Sequence, residues 1–187
     1  MSKQPTNRAR PLPKRPKPRH GAPYLFVQML ELMKENDFVV DADEANIAQW
    51  TVGLPSNTIR QGYPTLAVEL ERWAKQTRRA PCIVLEIDFP MDYPHTAPFL
   101  RVVRPRFKWH TGHVTIGGSL CTEMLTPAGW REITVEALMR SVCEILRDGE
   151  AKIQFLPDEH CVTPLVDYND YEARIAYQRV AEQHGWI

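Results

Sequence analysis

The 187-residue chain balances 23 Lys and Arg against 23 Asp and Glu, and 43% of it is hydrophobic, enough for one domain with a buried core plus a tail. No apolar run reaches the roughly 20 residues that cross a bilayer, and the polar, basic start lacks a signal peptide's apolar stretch, so the expectation is a cytoplasmic or nuclear protein with no membrane attachment. Its four cysteines, Cys82, Cys121, Cys143 and Cys161, form no C-x-x-C pair, which suits free thiols better than a disulfide framework or a zinc module.

The zero net charge conceals an asymmetry. Lys3, Arg8, Arg10, Lys14, Arg15, Lys17 and Arg19 give the first 22 residues seven bases and no acid, so the compensating acidic excess falls on the rest. Residues 1–22 are also rich in proline and poor in large apolar groups, which predicts a disordered tail with local polyproline II character and a folded domain over 23–187. Such a basic tail is suited to acidic partners, as a solvated leader, a localisation signal or a nucleic-acid tether. The stretch Arg10 to Pro16 also has the proline spacing of a ligand for an aromatic-lined groove.

From Tyr24 onward, Phe26, Met29, Leu30 and Met33 fall at i, i+3, i+4 and i+7 and predict a first helix ending near Asn36. Phe38 to Ile47 and Gln49 to Leu54 read as short strands, the second more clearly for its aromatic and β-branched content. Residues 55–80 are polar and mixed, with Leu66 to Lys75 as a helical insertion. Cys82 to Phe89 alternates at period two, with Ile83, Leu85, Ile87 and Phe89 on the core face. Pro90, Pro94 and Pro98 each remove a backbone donor, so the segment up to Pro98 is a rigid loop, and Phe99 to Val103 is the next strand.

Arg106 to Gly129 carries little regular signal. Thr134 then opens a helix with Val135, Leu138, Met139, Val142, Ile145 and Leu146 at helical period and Gly149 as its stop. A last helix, Asp170 to His184, carries Ala173, Ala176, Tyr177, Val180 and Ala181 on one face, with Gly185 after it. The order predicts an α+β domain: a helix, an antiparallel meander of about four strands, a long structured loop, then helices.

A long loop inside a compact domain usually has a task. This one contains Gly117-Gly118-Ser119-Leu120-Cys121, in which the glycines allow a tight turn and close approach to a bulky partner, with Cys121 as an exposed nucleophile.

Here the sequence resembles the ubiquitin-conjugating enzyme family. The resemblance runs through Phe89-Pro90, Tyr93-Pro94 and Pro98, then Gly118-Ser119-Leu120-Cys121, then Trp130 and Thr134-Val135. It is closer still to the divergent Q-type members, in Gly117 to Thr126, Gly129-Trp130, Gly149 to Phe155 and the terminal His184-Gly185-Trp186, and so covers residues 23–187. It implies the ubiquitin-conjugating fold, with the N-terminal helix, four-stranded antiparallel meander, long active-site loop and C-terminal helices in that order.

The resemblance implies that Cys121 carries ubiquitin, or a ubiquitin-like protein, as a thioester received from an activating enzyme. Transfer would be to a lysine amine or a serine or threonine hydroxyl, with a ligase as a further partner and no cofactor. Gly117, Gly118, Ser119 and Leu120 would lie beside the ubiquitin tail. Most of the family carries a His-Pro-Asn triplet, its asparagine eight residues ahead of the cysteine. This chain reads Thr111-Gly112-His113 instead, as Q-type members also lack the triplet, so His113 stands where oxyanion or loop support is expected. Asp148, Glu150 and Asp158 are the candidate bases for the acceptor.

Competing readings are a buried structural Cys121, a metal site of His110, His113 and Cys121, a Cys161–His160 pair, a catalytically silent binding module and a cysteine hydrolase.

Overall fold

The computed structural model describes residues 22–42 and 46–187; the expected disordered tail lies outside the described residues, apart from Ala22. Its elements are α1 (Ala22–Lys34), β1 (Val39–Ala42), β2 (Gln49–Pro55), α2 (Ser56–Gly62), α3 (Pro64–Thr77), β3 (Cys82–Asp88), β4 (Phe99–Arg104), α4 (Val135–Asp148) and α5 (Asp170–His184), with a 3-10 turn at Glu123–Leu125. No helix among the described residues is long and apolar enough to cross a membrane.

The strands form one antiparallel sheet in the order β1-β2-β3-β4. Side chains alternate across a strand, and the register aligns the apolar ones in rows. Trp50 pairs with Ile87 and Ile87 with Leu100; Val52 pairs with Leu85 and Leu85 with Val102. All six are fully or almost fully buried, in one cluster with Val135, Leu138, Met139, Val142 and Leu146 of α4. Ile145, expected on that stripe, is half-buried.

The helix expected at Leu66–Lys75 forms over a longer span, and Leu66, Ala67, Leu70 and Trp73 are buried. It therefore serves as part of the core between β2 and β3, with Pro64 in its first turn, where a missing N–H costs nothing. The Glu69 carboxylate accepts the Ile153 N–H at 2.7 Å and fastens α3 to the strand-like segment after α4. The preceding α2 has only Ser56 and Ile59 buried, too little apolar content to announce a helix.

α1 forms where expected but presents a different face. Leu25, Met29 and Leu32 are buried, whereas Phe26, Leu30 and Met33 are 44%, 43% and 57% exposed. Two apolar stripes share Met29, and the choice between them follows Gln28. Its side-chain oxygen accepts the Val135 N–H at 3.0 Å in a buried site, satisfying a free donor at the start of α4.

The proline loop is a clasp. Phe89 packs edge-on against Trp50 and Tyr93, with ring centroids 4.8 and 4.7 Å apart, and the Trp130 indole N–H donates to the Pro94 carbonyl at 2.7 Å. These residues join the meander to the far end of the long loop.

Candidate active site around Cys121

The loop after β4 is built from short backbone pairings. Residues 106–108 run antiparallel to 152–154, with Lys108 N–H donating to Lys152 O and Gln154 N–H to Arg106 O, both at 2.8 Å. Residues 114–120 then form a small hairpin that adds to the open edge of β4: Val102 N–H donates to Gly118 O at 2.7 Å and Leu120 N–H to Leu100 O at 3.2 Å. Inside it the Thr115 and Ser119 hydroxyls are 2.8 Å apart. Cys121 N–H donates to His113 O at 2.8 Å, so the hairpin is closed at the residue that carries the thiol.

Gly117, Gly118, Ser119 and Leu120 are all buried. Their glycine requirement is met inside the chain: a Cβ on Gly117 would sit 2.1 Å from the Glu172 carbonyl oxygen at the start of α5. The close approach expected toward a ubiquitin tail is made toward α5, so these four residues shape the loop from within. The partner wall is fixed by the Asn169–Glu172 capping box, by Arg106 donating to the Glu172 carboxylate at 2.6 Å and by the Tyr168 hydroxyl accepting Phe107 N–H at 2.9 Å.

His113 is exposed and left-handed (φ 54°), a conformation that histidine, asparagine and aspartate tolerate better than most side chains. Gly112 before it is also left-handed, and a Cβ there would meet the Ala151 methyl at 2.6 Å. The Thr111-Gly112-His113 stretch therefore lies tight against Gly149 to Ala151, with Gly112 N–H donating to Gly149 O at 2.7 Å. Loop support from His113 runs through its backbone carbonyl.

Cys121 is half-buried at the edge of a cavity of about 580 Å³. One wall is the loop, with His113; the other is α5, with Ala176, Arg179, Val180, Gln183 and His184; Trp109, His110 and His160 also line it. A smaller space of about 290 Å³ lies on the other side of Cys121, bordered by His113, Glu123, Ile145, His184 and Trp186. Burial pushes the Cys121 thiol above its ordinary value, because a thiolate loses hydration there. Tyr177 on α5 is also raised, by burial first and then by the charge of Cys121.

None of the expected bases reaches these spaces. The Asp158 carboxylate accepts the N–H groups of His160 and Cys161 and the Gln154 amide, all within 2.9 Å, so it organises its own loop. Asp148 pairs with Arg147, and Glu150 is exposed beside Lys152. The side chains of His110, His113 and Cys121 do not gather their ligand atoms: among the described residues the group that does is Glu86, Asp88 and Asp170, which pairs with Arg101 and Arg174.

His160, in sequence only a neighbour of Cys161, shares the larger cavity with Cys121, and so does the end of α5. The readable signal for this wall is a set of small residues, Gly117 in the loop and Ala173 and Ala176 on the helix, that permits such close packing.

No protein-family model matches the chain. The human ubiquitin-conjugating enzyme E2 G1 structure is similar, with a TM-score of 0.52 and 26% identity over 71% of this chain and 99% of that one. The four-stranded meander with its helices and long loop is thus the ubiquitin-conjugating fold. Within that class the sequence is similar to the Q-type proteins. It is 26% identical to a Q-like ubiquitin-conjugating enzyme protein of Drosophila melanogaster over 87% of this chain and 50% of that protein. It is 43% identical to the human Q-like ubiquitin-conjugating enzyme protein 1 over 38% of this chain and 44% of that one. The chain spans about half the length of these curated relatives.

Proposed function

We propose that the chain, over residues 23–187, is a ubiquitin-conjugating transferase that holds ubiquitin or a ubiquitin-like protein as a thioester on Cys121. The observation that carries this reading is the half-exposed Cys121 at the end of a fastened hairpin, with open space on both sides, in a chain similar to Q-type enzymes. A sulfur sealed in the core would exclude it.

Cys121 as thiolate attacks the carbonyl that the activating enzyme holds as a thioester; one C–S bond forms, another breaks, and the exchange costs little free energy. An acceptor amine or hydroxyl, with or without a ligase, then attacks the new thioester through a tetrahedral oxyanion. The Cys121 N–H is already donated to His113 O, so the donors must come from elsewhere, and the His113 ring at the cavity wall is a candidate. This chemistry needs reduced thiols, as in cytoplasm or nucleus.

Incubation with ubiquitin, activating enzyme and ATP should give an adduct that a thiol reductant removes. Cys121→Ala should abolish it and Cys143→Ala should not. A protein that stays unmodified by ubiquitin and by related modifiers would instead be a binding module on the same fold.

A further inference from the structure

Deprotonating the acceptor requires a base near the thioester carbon, and the larger Cys121 cavity is lined by His110, His113, His160 and His184 with no Asp or Glu. Two of these imidazoles, His110 and His160, border only the larger of the two spaces beside Cys121. The rings of His110 and His160 lie against Trp109 with centroids 4.0 and 3.8 Å away, and His160 Nε2 is 3.3 Å from the Glu159 carboxylate. His113 lines both spaces, but its ring is the candidate donor to the oxyanion.

His184 comes from the opposite wall, at the end of α5. Its ring stacks on Trp186 with centroids 4.8 Å apart and planes 18° apart. Stacking uses the ring face and leaves both nitrogens at the edge for hydrogen bonding. His184 also lines both spaces that flank Cys121. Whichever space the acyl group takes, the acceptor enters along a wall that includes this imidazole.

We propose that His184 is the general base that takes the acceptor's proton during attack on the Cys121 thioester. The inference rests on the thioester reading above. The acceptor oxygen or neutral amine nitrogen forms a bond to the thioester carbon as its proton passes to a ring nitrogen of His184. The tetrahedral intermediate collapses, the C–S bond breaks, and Cys121 leaves as thiolate. That thiolate recovers the proton from the imidazolium, which returns both groups to their starting states. Glu123 borders the smaller space and His113 borders both, and these are the competing bases.

The test uses the full chain, charged on Cys121 and then freed of activating enzyme. Discharge is followed to N-acetyl-threonine amide or Nα-acetyl-lysine amide, whichever the parent uses, between pH 5.5 and 9. His184→Gln should slow discharge about 100-fold, the lower end of what a positioned base contributes, and should leave charging unchanged. The rise of the parent rate with pH should flatten in the variant. Added imidazole should restore discharge to His184→Gly, an effect that a packing role would not produce. Equal rates and profiles for parent and His184→Gln would overturn the assignment, as would a loss of the pH-dependent rise that follows Glu123→Gln or His113→Gln instead. A parent that never charges would remove the thioester reading and this base together, and charging is scored before discharge, so the two failures are distinguishable.

Discussion

The two C-terminal helices are almost equal in length and differ in what they bury. α4 covers the sheet with Val135, Leu138, Met139, Val142 and Leu146, while α5 buries Ala173, Ala176 and Ala181. Large side chains fill the space between elements and leave a closed core. Small ones let the helix backbone come within contact distance of Gly117 and leave the polar end of the helix bordering an open cavity. The difference teaches that a weak apolar stripe can mark a helix that shapes a site, where a strong one marks a helix that holds the fold.

Substitution on each helix should separate the two roles. Leu138→Ala on α4 should cost about 2–5 kcal/mol, the range for truncating a fully buried leucine, read as a lower urea midpoint, with charging of the folded fraction retained. Ala176→Leu on α5 should cost about 1–3 kcal/mol, as overpacking does, yet it should impair charging strongly because the added atoms enter the cavity wall. If Leu138→Ala lost charging in its folded fraction, or Ala176→Leu kept full charging, the division of labour would fail.

A finer comparison sets Cys143 on α4 against Cys121 facing α5. Burial pushes Cys143 up to about 11 and raises Cys121 too. Only the thiolate alkylates, so both should react more slowly than a free thiol at pH 7 and both should accelerate as pH rises. Iodoacetamide labelling followed by peptide mass mapping at pH 8 should modify Cys121 before Cys143. The reverse order would mean that the cavity is closed to solutes in solution.

Much of the fold is legible because local patterning and tertiary need agree. The alternation in Cys82 to Asp88 becomes the central strand β3, and Thr134 caps α4 by accepting the Ala137 N–H at 3.1 Å. α1 departs from its expected face because it is apolar on more than one side; the buried face is chosen by the polar contact from Gln28, 107 residues away in sequence from Val135. At the candidate site the loop and its cysteine are legible from glycines and spacing. The opposite wall is not, since His160 and His184 belong to separate segments and carry no mutual sequence signal.

By itself the sequence determined the elements and their order, because period-two and helical repeats, prolines and caps act within a few residues of themselves. It also singled out Cys121, since its glycines and flanking pattern are contiguous. Only the tertiary structure decided that Gly117 to Leu120 face inward, that α1 turns Leu25 and Leu32 to the core, and that α5 forms one wall of the cavity beside the thiol. Those outcomes depend on which distant surfaces meet, and close packing between them is settled by shape and buried hydrogen bonds that no single segment encodes.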